Sequence, residues 1–344
     1  MKRFKRLFAG LLTAALLFSV TGCSGDTTWV LKTENDTVPA GVYLSYLRDA
    51  YEQAQNQVDT STDIWSQKID DVPVEQWIIN KATKTTKQYI AINIMFDELG
   101  MTMGTEGTNT AKTTADSYWA QYQTTYEQNG ISYASVVKLA ECEYKTQKVF
   151  EYFYETNGKE PVSEDTIKEY FYDNYAKVKY VAINKYDIKT GEKKDEDALK
   201  ETVDGYVTEI NKGTDIDTII DACITQVYND YGLTDYEPDT EDSSRNVSLL
   251  SKQQAGVMEN FVKKTFEQKE FGIPYTDDSS SSYIYLGARY DLTKDAELYQ
   301  ENRTAVLYEL RGGEFSQKLE DRLSTVQITT NEEAINRYSP KNLK

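Results

Sequence analysis

The side chains that could carry out chemistry in this chain are its thiols and its acids, because its 344 residues include no histidine. Without an imidazole base a serine triad cannot form, and a zinc site would have to use carboxylates. No acidic spacing matches a calcium loop of the EF-hand type, and no glycine-rich phosphate loop is present. The sequence therefore predicts no metal and no cofactor. Its thiols are Cys23, Cys142 and Cys223.

Cys23 follows a segment that has the features of a secretion signal. Four basic residues lie in the first six positions, and residues 7–20 form an apolar run too short to span a bilayer as a stable helix. The sequence Val20-Thr21-Gly22-Cys23 resembles the lipobox of bacterial lipoproteins, where cleavage leaves a lipidated cysteine. Because two acyl chains hold a protein stably on a membrane, we expect residues 1–22 to be removed and Cys23 to anchor the protein. An ordinary signal peptide with a chance cysteine is the alternative.

The charge of the chain agrees with this placement and excludes one class of partner. The formal net charge is -18 at pH 7, and removing the four basic residues of the leader takes it to -22. A protein this acidic is repelled by phosphate backbones and by anionic lipid heads, so nucleic acid is not an expected partner. Attachment to the membrane must then come from the lipid anchor.

The two remaining cysteines, Cys142 and Cys223, each lie in a helical pattern. We expect two buried free thiols. A disulfide between them is the alternative, and the sequence does not decide whether they meet.

Hydrophobic periodicity predicts that the first half of the chain is mostly helical. A short strand at Trp29–Lys32 precedes the helices, and Thr105–Thr110 is expected to be a loop. The helical patterns cover about Pro39 to Gln57, from after Asp71 to Gly100, Ala111 to Tyr126, and Val136 to about Gly158.

After a boundary at residues 157–161, the pattern changes from mostly helical to a mixture of strands and helices. Ser163 is expected to cap a helix, and the near-continuous apolar run KVKYVAIN predicts a strand inside a sheet. Helices, a polar loop from Tyr228 to Asn246, a helix over Val257 to Phe266 and a strand over Tyr283 to Leu286 follow, a pattern typical of a compact α+β domain. From Lys294 we expect a helix that breaks at Gly312-Gly313, and then a strand at Thr325–Ile328.

Four segments resemble the extracytoplasmic foldase lipoproteins of the PrsA type and their SurA-like relatives. TVPAGVYLSYLRDAY is similar to the opening strand and first helix of that family. The long helix ending in Glu98-Leu99-Gly100 is similar to the family helix that contributes either to dimer contacts or to the cradle for the client. PVSEDTIKEYF resembles the lead into a parvulin domain, and VMENFVKKTFEQKEFGIP, from Val257 to Pro274, a helix of that domain.

The resemblance implies an α+β protein with a discontinuous, mostly helical chaperone domain similar to the N-terminal domain of SurA. A parvulin-like α+β domain, with a four-stranded sheet wrapped by helices, would be inserted into it. The expected ranges are 1–22 for the signal peptide, 23–160 and 294–344 for the helical domain, and 161–293 for the parvulin-like domain.

The resemblance also implies candidate site residues. Met258 and Phe261 correspond to side chains that line the proline slot of parvulins, and Tyr283 lies beside them as a further candidate for substrate binding. Met258 and Phe261 could equally belong to the core face of an amphipathic helix, and that is the expected role of Val257 and Phe266. The alignment places Ala182 and Ile284 where the family carries histidines, so no catalytic residue is predicted.

These features predict a membrane-anchored extracytoplasmic chaperone that binds unfolded or nascent secreted polypeptides, with a catalytically impaired parvulin-like domain. Homodimerisation stays open. An active peptidyl-prolyl isomerase is the alternative, because desolvating and twisting the amide could lower its barrier without a histidine. A solute-binding lipoprotein is disfavoured, since such proteins usually alternate strand and helix through two lobes.

Overall fold

The computed structural model describes residues 28–233, 235–242, 244–254 and 256–344. The expected leader and Cys23 lie outside the described residues. The chain forms two compact units, of which the first comprises the described residues up to Pro161 together with Arg311–Lys344, and the second is Val162–Leu310. The predicted α+β class is confirmed, because helices dominate and short strands form small sheets.

The helices of the described residues, in chain order, are α1 (Ala40–Gln55), α2 (Val74–Glu98), α3 (Gly104–Gln128), α4 (Tyr133–Tyr154), α5 (Glu164–Asn174), α6 (Glu196–Asn211), α7 (Ile216–Asp230), α8 (Glu259–Glu267), α9 (Ala296–Leu323) and α10 (Glu332–Arg337). The strands are β1 (Trp29–Lys32), β2 (Thr37–Pro39), β3 (Lys68–Ile69), β4 (Val72–Pro73), β5 (Tyr175–Asn184), β6 (Val247–Ser251), β7 (Pro274–Asp277), β8 (Tyr283–Tyr290) and β9 (Thr329–Thr330).

The first unit joins the two ends of the described chain. Strand β1 pairs antiparallel with β2 on one side and with β9 on the other, so that Leu31 lies opposite Thr330. Helix α4 contacts α1, α2 and α3. Phe315 of α9 contacts Phe150 of α4 with ring centroids 5.3 Å apart. Sequence-distant segments thus share one core, as expected for a discontinuous helical domain.

The second unit contains, among its described residues, an antiparallel sheet in the order β6-β5-β8-β7. Strand β5 is central, and Ala182 pairs with Tyr285 of β8. Because side chains alternate along a strand, β5 and β8 each contribute to two separate cores. Helix α8 packs on one face around Phe261, and α7 packs on the other face around Ile219 and Ile220.

Helix α5 begins where the sequence predicts. The Ser163 hydroxyl accepts a hydrogen bond from the Thr166 N–H at 3.1 Å, which satisfies one of the free amide groups of the first turn. Glu164 and Asp165 follow in that turn, where the helix dipole favours negative charge.

The prediction of a loop at Thr105–Thr110 is wrong, since α3 already begins at Gly104. Glycine and threonine are weak helix formers, but tertiary packing overrides that preference here. Gly107 faces the Tyr144 ring of α4 so closely that a Cβ atom would lie 2.6 Å from its Cε1. The absence of a side chain at Gly107 lets α3 and α4 approach each other.

The predicted break at Gly312-Gly313 is also wrong, because α9 runs through both glycines. Buried Val306 and Leu307 before the pair and buried Phe315 after it support both halves of the helix. That packing outweighs the cost of about 1 kcal/mol that a glycine adds relative to alanine. The last strand is β9 at Thr329–Thr330 rather than Thr325–Ile328. None of the described helices has the length and apolar character that a membrane span requires.

Both described cysteines are free thiols, but they differ in exposure: Cys142 in α4 is buried, and Cys223 in α7 is only half-buried. Burial raises the pKa of the Cys142 thiol to about 12 and also raises the pKa of Cys223. Since the thiolate is the reactive form, iodoacetamide at pH 8 should label Cys223 well before Cys142 in the folded protein. Mass spectrometry of labelled peptides checks this, and in denaturant the two rates should converge. Equal labelling rates in the folded protein would contradict the burial of Cys142.

Candidate functional site

The candidate site lies on the face of the sheet that α8 covers. Side chains from β5, β6, β8 and α8 meet there in one apolar cluster, because every second residue of β5 points to this face. The fully buried members are Ala176, Val178, Leu250, Phe261, Val262 and Tyr285. Half-buried residues pack against them, and we call four of these the aromatic patch: Tyr180, Ala182, Met258 and Tyr283.

Phe261 lies below the aromatic patch and is 0% exposed. Its ring centroid lies 5.4 Å from that of Tyr180, 5.3 Å from Tyr275 and 5.2 Å from Tyr285. Gly287 of β8 leaves room for it, since a Cβ atom there would lie 2.8 Å from Phe261 Cζ. A substrate could touch Phe261 only if the tyrosine rings moved, so its predicted role in substrate binding stays a prediction.

Met258 and Tyr283 lie at the accessible edge of the cluster. Met258 is the N-cap residue of α8, and its Sδ accepts hydrogen bonds from the Tyr180 hydroxyl at 3.9 Å and from Gln254 Nε2 at 3.7 Å. Tyr283 contacts Tyr285 with ring centroids 6.0 Å apart. The structure therefore brings Met258 and Tyr283 to the same patch, together with Tyr180.

Val257 and Phe266, both expected to belong to the core, differ in burial. Val257 is 68% exposed, so the prediction that it belongs to the core is wrong. The helix begins only at Glu259, and Val257 precedes it. Phe266 packs against the cluster as expected.

Ala182 and Ile284, aligned with the family histidines, do not face each other. Ala182 lies on the aromatic patch and pairs with Tyr285. Ile284 pairs with Ile183, and the alternation of β8 directs its side chain to the opposite face of the sheet. The side chain that lies across from Ala182 on the same face is therefore a tyrosine.

The phenols of Tyr180, Tyr275 and Tyr285 are neutral near pH 7, because burial raises the pKa of each. Burial raises the pKa of Tyr180, and it raises the pKa of Tyr275 to about 12. Burial also raises the pKa of Tyr285, and the nearby negative charge of Asp277 adds to that effect. Protonated phenols can donate hydrogen bonds to a peptide carbonyl, but they cannot take up a proton as a base.

Asp277 is a carboxylate beside this face, opposite Tyr285 in the β7–β8 ladder. It is 1% exposed, and its Oδ2 accepts a hydrogen bond from Ser279 Oγ at 2.8 Å. Lys264 Nζ lies 2.9 Å from Oδ1, an ion-pair contact outside hydrogen-bond geometry. Because Asp277 is buried and paired, the face is suited to binding apolar groups and amide oxygens rather than to proton transfer.

On the other face of the sheet lies a polar cluster that sequence reasoning did not find. Lys179 Nζ of β5 lies 2.5 Å from Asp217 Oδ2 of α7. Arg245 Nε contacts Asp221 Oδ2 at 3.2 Å, and Asn246 Nδ2 donates to Asp221 Oδ1 at 2.9 Å. Arg245 also donates to the backbone carbonyl of Asp242 at 3.1 Å, so it ties the polar loop to α7. A lysine inside an apolar strand was the signal that could have indicated this cluster.

No model of a protein family matches the sequence, and no curated protein matches it. Similar solved structures include PrsA proteins. PrsA from Bacillus subtilis is 14% identical, with a TM-score of 0.31 over 91% of this chain and 98% of that one. The foldase protein PrsA from Streptococcus pneumoniae str. Canada MDR_19A is 16% identical, with a TM-score of 0.39 over 79% and 96%.

A third similar structure is a peptidylprolyl isomerase (PrsA) from Bacillus anthracis, 12% identical with a TM-score of 0.24 over 70% of this chain and 96% of that one.

Proposed function

We propose that this protein is an extracytoplasmic chaperone of the foldase type that holds unfolded or partly folded secreted polypeptides, and that its parvulin-like unit is catalytically impaired. One observation carries the proposal: the α8 face keeps an accessible aromatic patch with phenol donors, while its neighbouring carboxylate, Asp277, is buried and paired. Large amphipathic rings make favourable, sequence-tolerant contacts with exposed apolar segments. Such contacts suit the binding of an unfolded polypeptide better than they suit proton transfer.

The first unit adds further surface of the same kind. Trp65, Trp77 and Trp119 are half-buried rather than part of the fully buried core. Tyr118 and Tyr152 are exposed. Several weak contacts of this type can act together on one flexible chain without strict sequence specificity.

The proposed location follows from the leader and from Cys23. A diacylglyceryl group on Cys23 would keep the protein on the outer face of the cytoplasmic membrane, where exported chains emerge. Mass spectrometry tests this part directly, since a lipidated N-terminal Cys23 would carry the mass of the lipid and would not react with iodoacetamide.

Active isomerisation is the second candidate function. The observation in its favour is that Met258 and Tyr180 are adjacent and half-buried, so a proline ring could pack there while a phenol donates to the amide. Binding that favours the twisted amide over either planar form would accelerate rotation without proton transfer.

The two functions are separated by two assays on the full chain in lipid nanodiscs. We expect the protein to suppress aggregation of a denatured client at several-fold molar excess, and to leave the cis-to-trans relaxation of a proline peptide at its rate in buffer. Tyr283→Ser should weaken the protection, because it removes a ring of the aromatic patch. Tyr231→Ser is the matched control, since that tyrosine is 66% exposed and lies outside the patch.

Absence of protection by the unmodified protein would contradict the chaperone proposal. A clear acceleration of relaxation that Met258→Ala removes would establish the isomerase instead.

A further inference from the structure

A second concave surface lies within the first unit, between α1, α3 and α4, and has a volume of about 390 Å³. We call it the tyrosine groove and define it by Tyr46, Arg48 and Asp49 of α1, Tyr118 and Tyr122 of α3, and Glu143 of α4. Its volume lies in the range of sites that hold a small ligand or a few side chains.

Helix α3 supplies an aromatic wall of the groove. Tyr118, Tyr122 and Tyr126 recur every four residues and therefore lie on one side of the helix. The Arg48 guanidinium contacts two of these rings, with its Cζ 5.4 Å from the centroid of Tyr122 and 5.6 Å from that of Tyr126. The wall thus presents π faces that attract cations.

Helix α4 forms an apolar floor. Val136 and Cys142 are buried there, and Leu139 lies between them on the same side of the helix. Because burial raises the pKa of Cys142 to about 12, its thiol is neutral and adds to the apolar surface. A hydrocarbon stem can pack on this floor without burying an unpaired charge.

The rim carries two carboxylates, Asp49 and Glu143, and both residues are exposed. Neither forms a salt bridge within the described part of the chain, although Glu143 Oε2 accepts a hydrogen bond from the Tyr118 hydroxyl at 3.3 Å. Desolvation raises the pKa of Asp49, the Arg48 charge opposes that shift, and a bound cation would oppose it further. The residues that line the groove include two carboxylates and one guanidinium, so the groove carries a net negative charge.

Arg48 supplies only part of the balancing charge, because its Nε also donates to Glu52 Oε1 at 3.0 Å. Its Nη1 is buried and has no hydrogen-bond partner in the described structure. An unpaired buried donor is costly, so a neutral acceptor such as a peptide carbonyl would stabilise it. An anionic ligand is disfavoured by Glu52, Asp49 and Glu143 together.

We infer that the tyrosine groove binds a lysine or arginine side chain of an unfolded polypeptide, an inference that rests on the proposed chaperone function. The stem of the side chain packs on Tyr118 and Tyr122, and its cationic head meets Asp49 and Glu143. A backbone carbonyl of the same segment accepts a hydrogen bond from Arg48 Nη1. The net charge of -18 favours basic segments in the same direction.

The test uses the full chain in phosphatidylcholine nanodiscs and three fluorescent, unstructured peptides that differ at one central residue: lysine, norleucine or glutamate. Fluorescence anisotropy gives each Kd, with empty nanodiscs as the blank. We expect the lysine peptide to bind at least about tenfold more tightly than the glutamate peptide. The double variant Asp49→Asn, Glu143→Gln should bring the lysine peptide to the affinity of the norleucine peptide.

Matched variants separate the effect of the groove carboxylates, the effect of the Tyr122 ring and any effect on folding. Glu333→Gln removes an acid whose side chain is 84% exposed and lies outside the groove, so it should leave the lysine preference intact. Tyr122→Phe should keep the preference and Tyr122→Leu should reduce it, because only the second removes the π face. Circular dichroism melting of each variant reports whether the fold is unchanged.

Equal binding of the lysine and glutamate peptides, or a lysine preference that survives in the double variant, would overturn the inference. Aggregation protection measured on the same samples separates this outcome from failure of the chaperone proposal. Protection without a lysine preference removes only the groove inference. The absence of both protection and peptide binding removes both.

Discussion

Replacing Phe261 with alanine should lower the free energy of unfolding of the second unit by about 3–5 kcal/mol. The ring is completely buried and contacts Tyr180, Tyr275 and Tyr285, so the truncation would leave a cavity lined by three aromatic rings. The stacked contacts of Phe261 with Tyr275 and Tyr285 and its tilted contact with Tyr180 would be lost in addition to the buried area. We therefore expect a loss of function in this variant to report unfolding rather than a missing contact with substrate.

Hydrogen exchange read by mass spectrometry measures this effect in the unit concerned. Peptides from β5 and β8 should exchange much faster in the variant than in the unmodified protein. Tryptophan fluorescence reports on the first unit, because Trp29, Trp65, Trp77 and Trp119 all precede Pro161. Val257→Ala is the matched control, since Val257 is near Phe261 in sequence and 68% exposed. Unchanged exchange in β5 and β8 after Phe261→Ala would show that the ring does not support the sheet.

The long helices were predictable because each has a strong local signal. The apolar repeat through Ile78, Ala82 and Tyr89 predicts α2, and those residues are buried in the structure. The hydroxyl of Ser163 marks the start of α5 because a capping bond depends only on residues three positions apart. Such features are local, so a single sequence contains them.

The strands at the two edges of the sheet were not predictable in the same way. Strand β6 has only five residues and β7 only four, and β7 begins with Pro274. A proline cannot donate to a ladder, and it is tolerated here because β7 pairs on one side only, with β8. Short edge strands obtain their conformation from the neighbouring strand, which the sequence does not display.

Register explains why the candidate site could be predicted only in part. The sequence predicts a strand at Tyr283 to Leu286, and β8 continues it to Tyr290, but a shift of one residue exchanges the two faces of the strand. The alignment chose Ile284, whereas the pairing puts Tyr285 across from Ala182. The burial of a side chain is equally hard to predict from sequence. Met258 and Phe261 both have the apolar character that a proline slot requires, but only the packed structure shows that Met258 is half-buried and Phe261 is inaccessible.

Replacing Asp217 with alanine should cause the second large loss of stability in this unit, about 3–5 kcal/mol. The side chains of Asp217 and Lys179 are 5% and 13% exposed, and their charged atoms lie 2.5 Å apart. Removing the carboxylate leaves a buried ammonium group without its partner, which costs more than the pair contributes when intact. Hydrogen exchange of β5 and α7 measures the loss. The double variant Lys179→Met, Asp217→Asn should recover much of it, because it removes both charges, nearly keeps the volume and retains an acceptor for Asn246.

The control for this prediction is Glu196→Gln, which breaks the pair between Lys193 and Glu196 at 2.5 Å, where the side chains are 51% and 64% exposed. We expect little change there, because solvent screens exposed pairs. If Asp217→Ala and the double variant lost equal stability, the buried charge would not be the cause.

The buried pair also helps to fix the register of β5, since Lys179 and Phe261 lie on opposite faces of the sheet. A slip of one residue would bring the lysine against that ring, so the buried pair penalises the wrong alignment of β5 and keeps the aromatic patch on the α8 side.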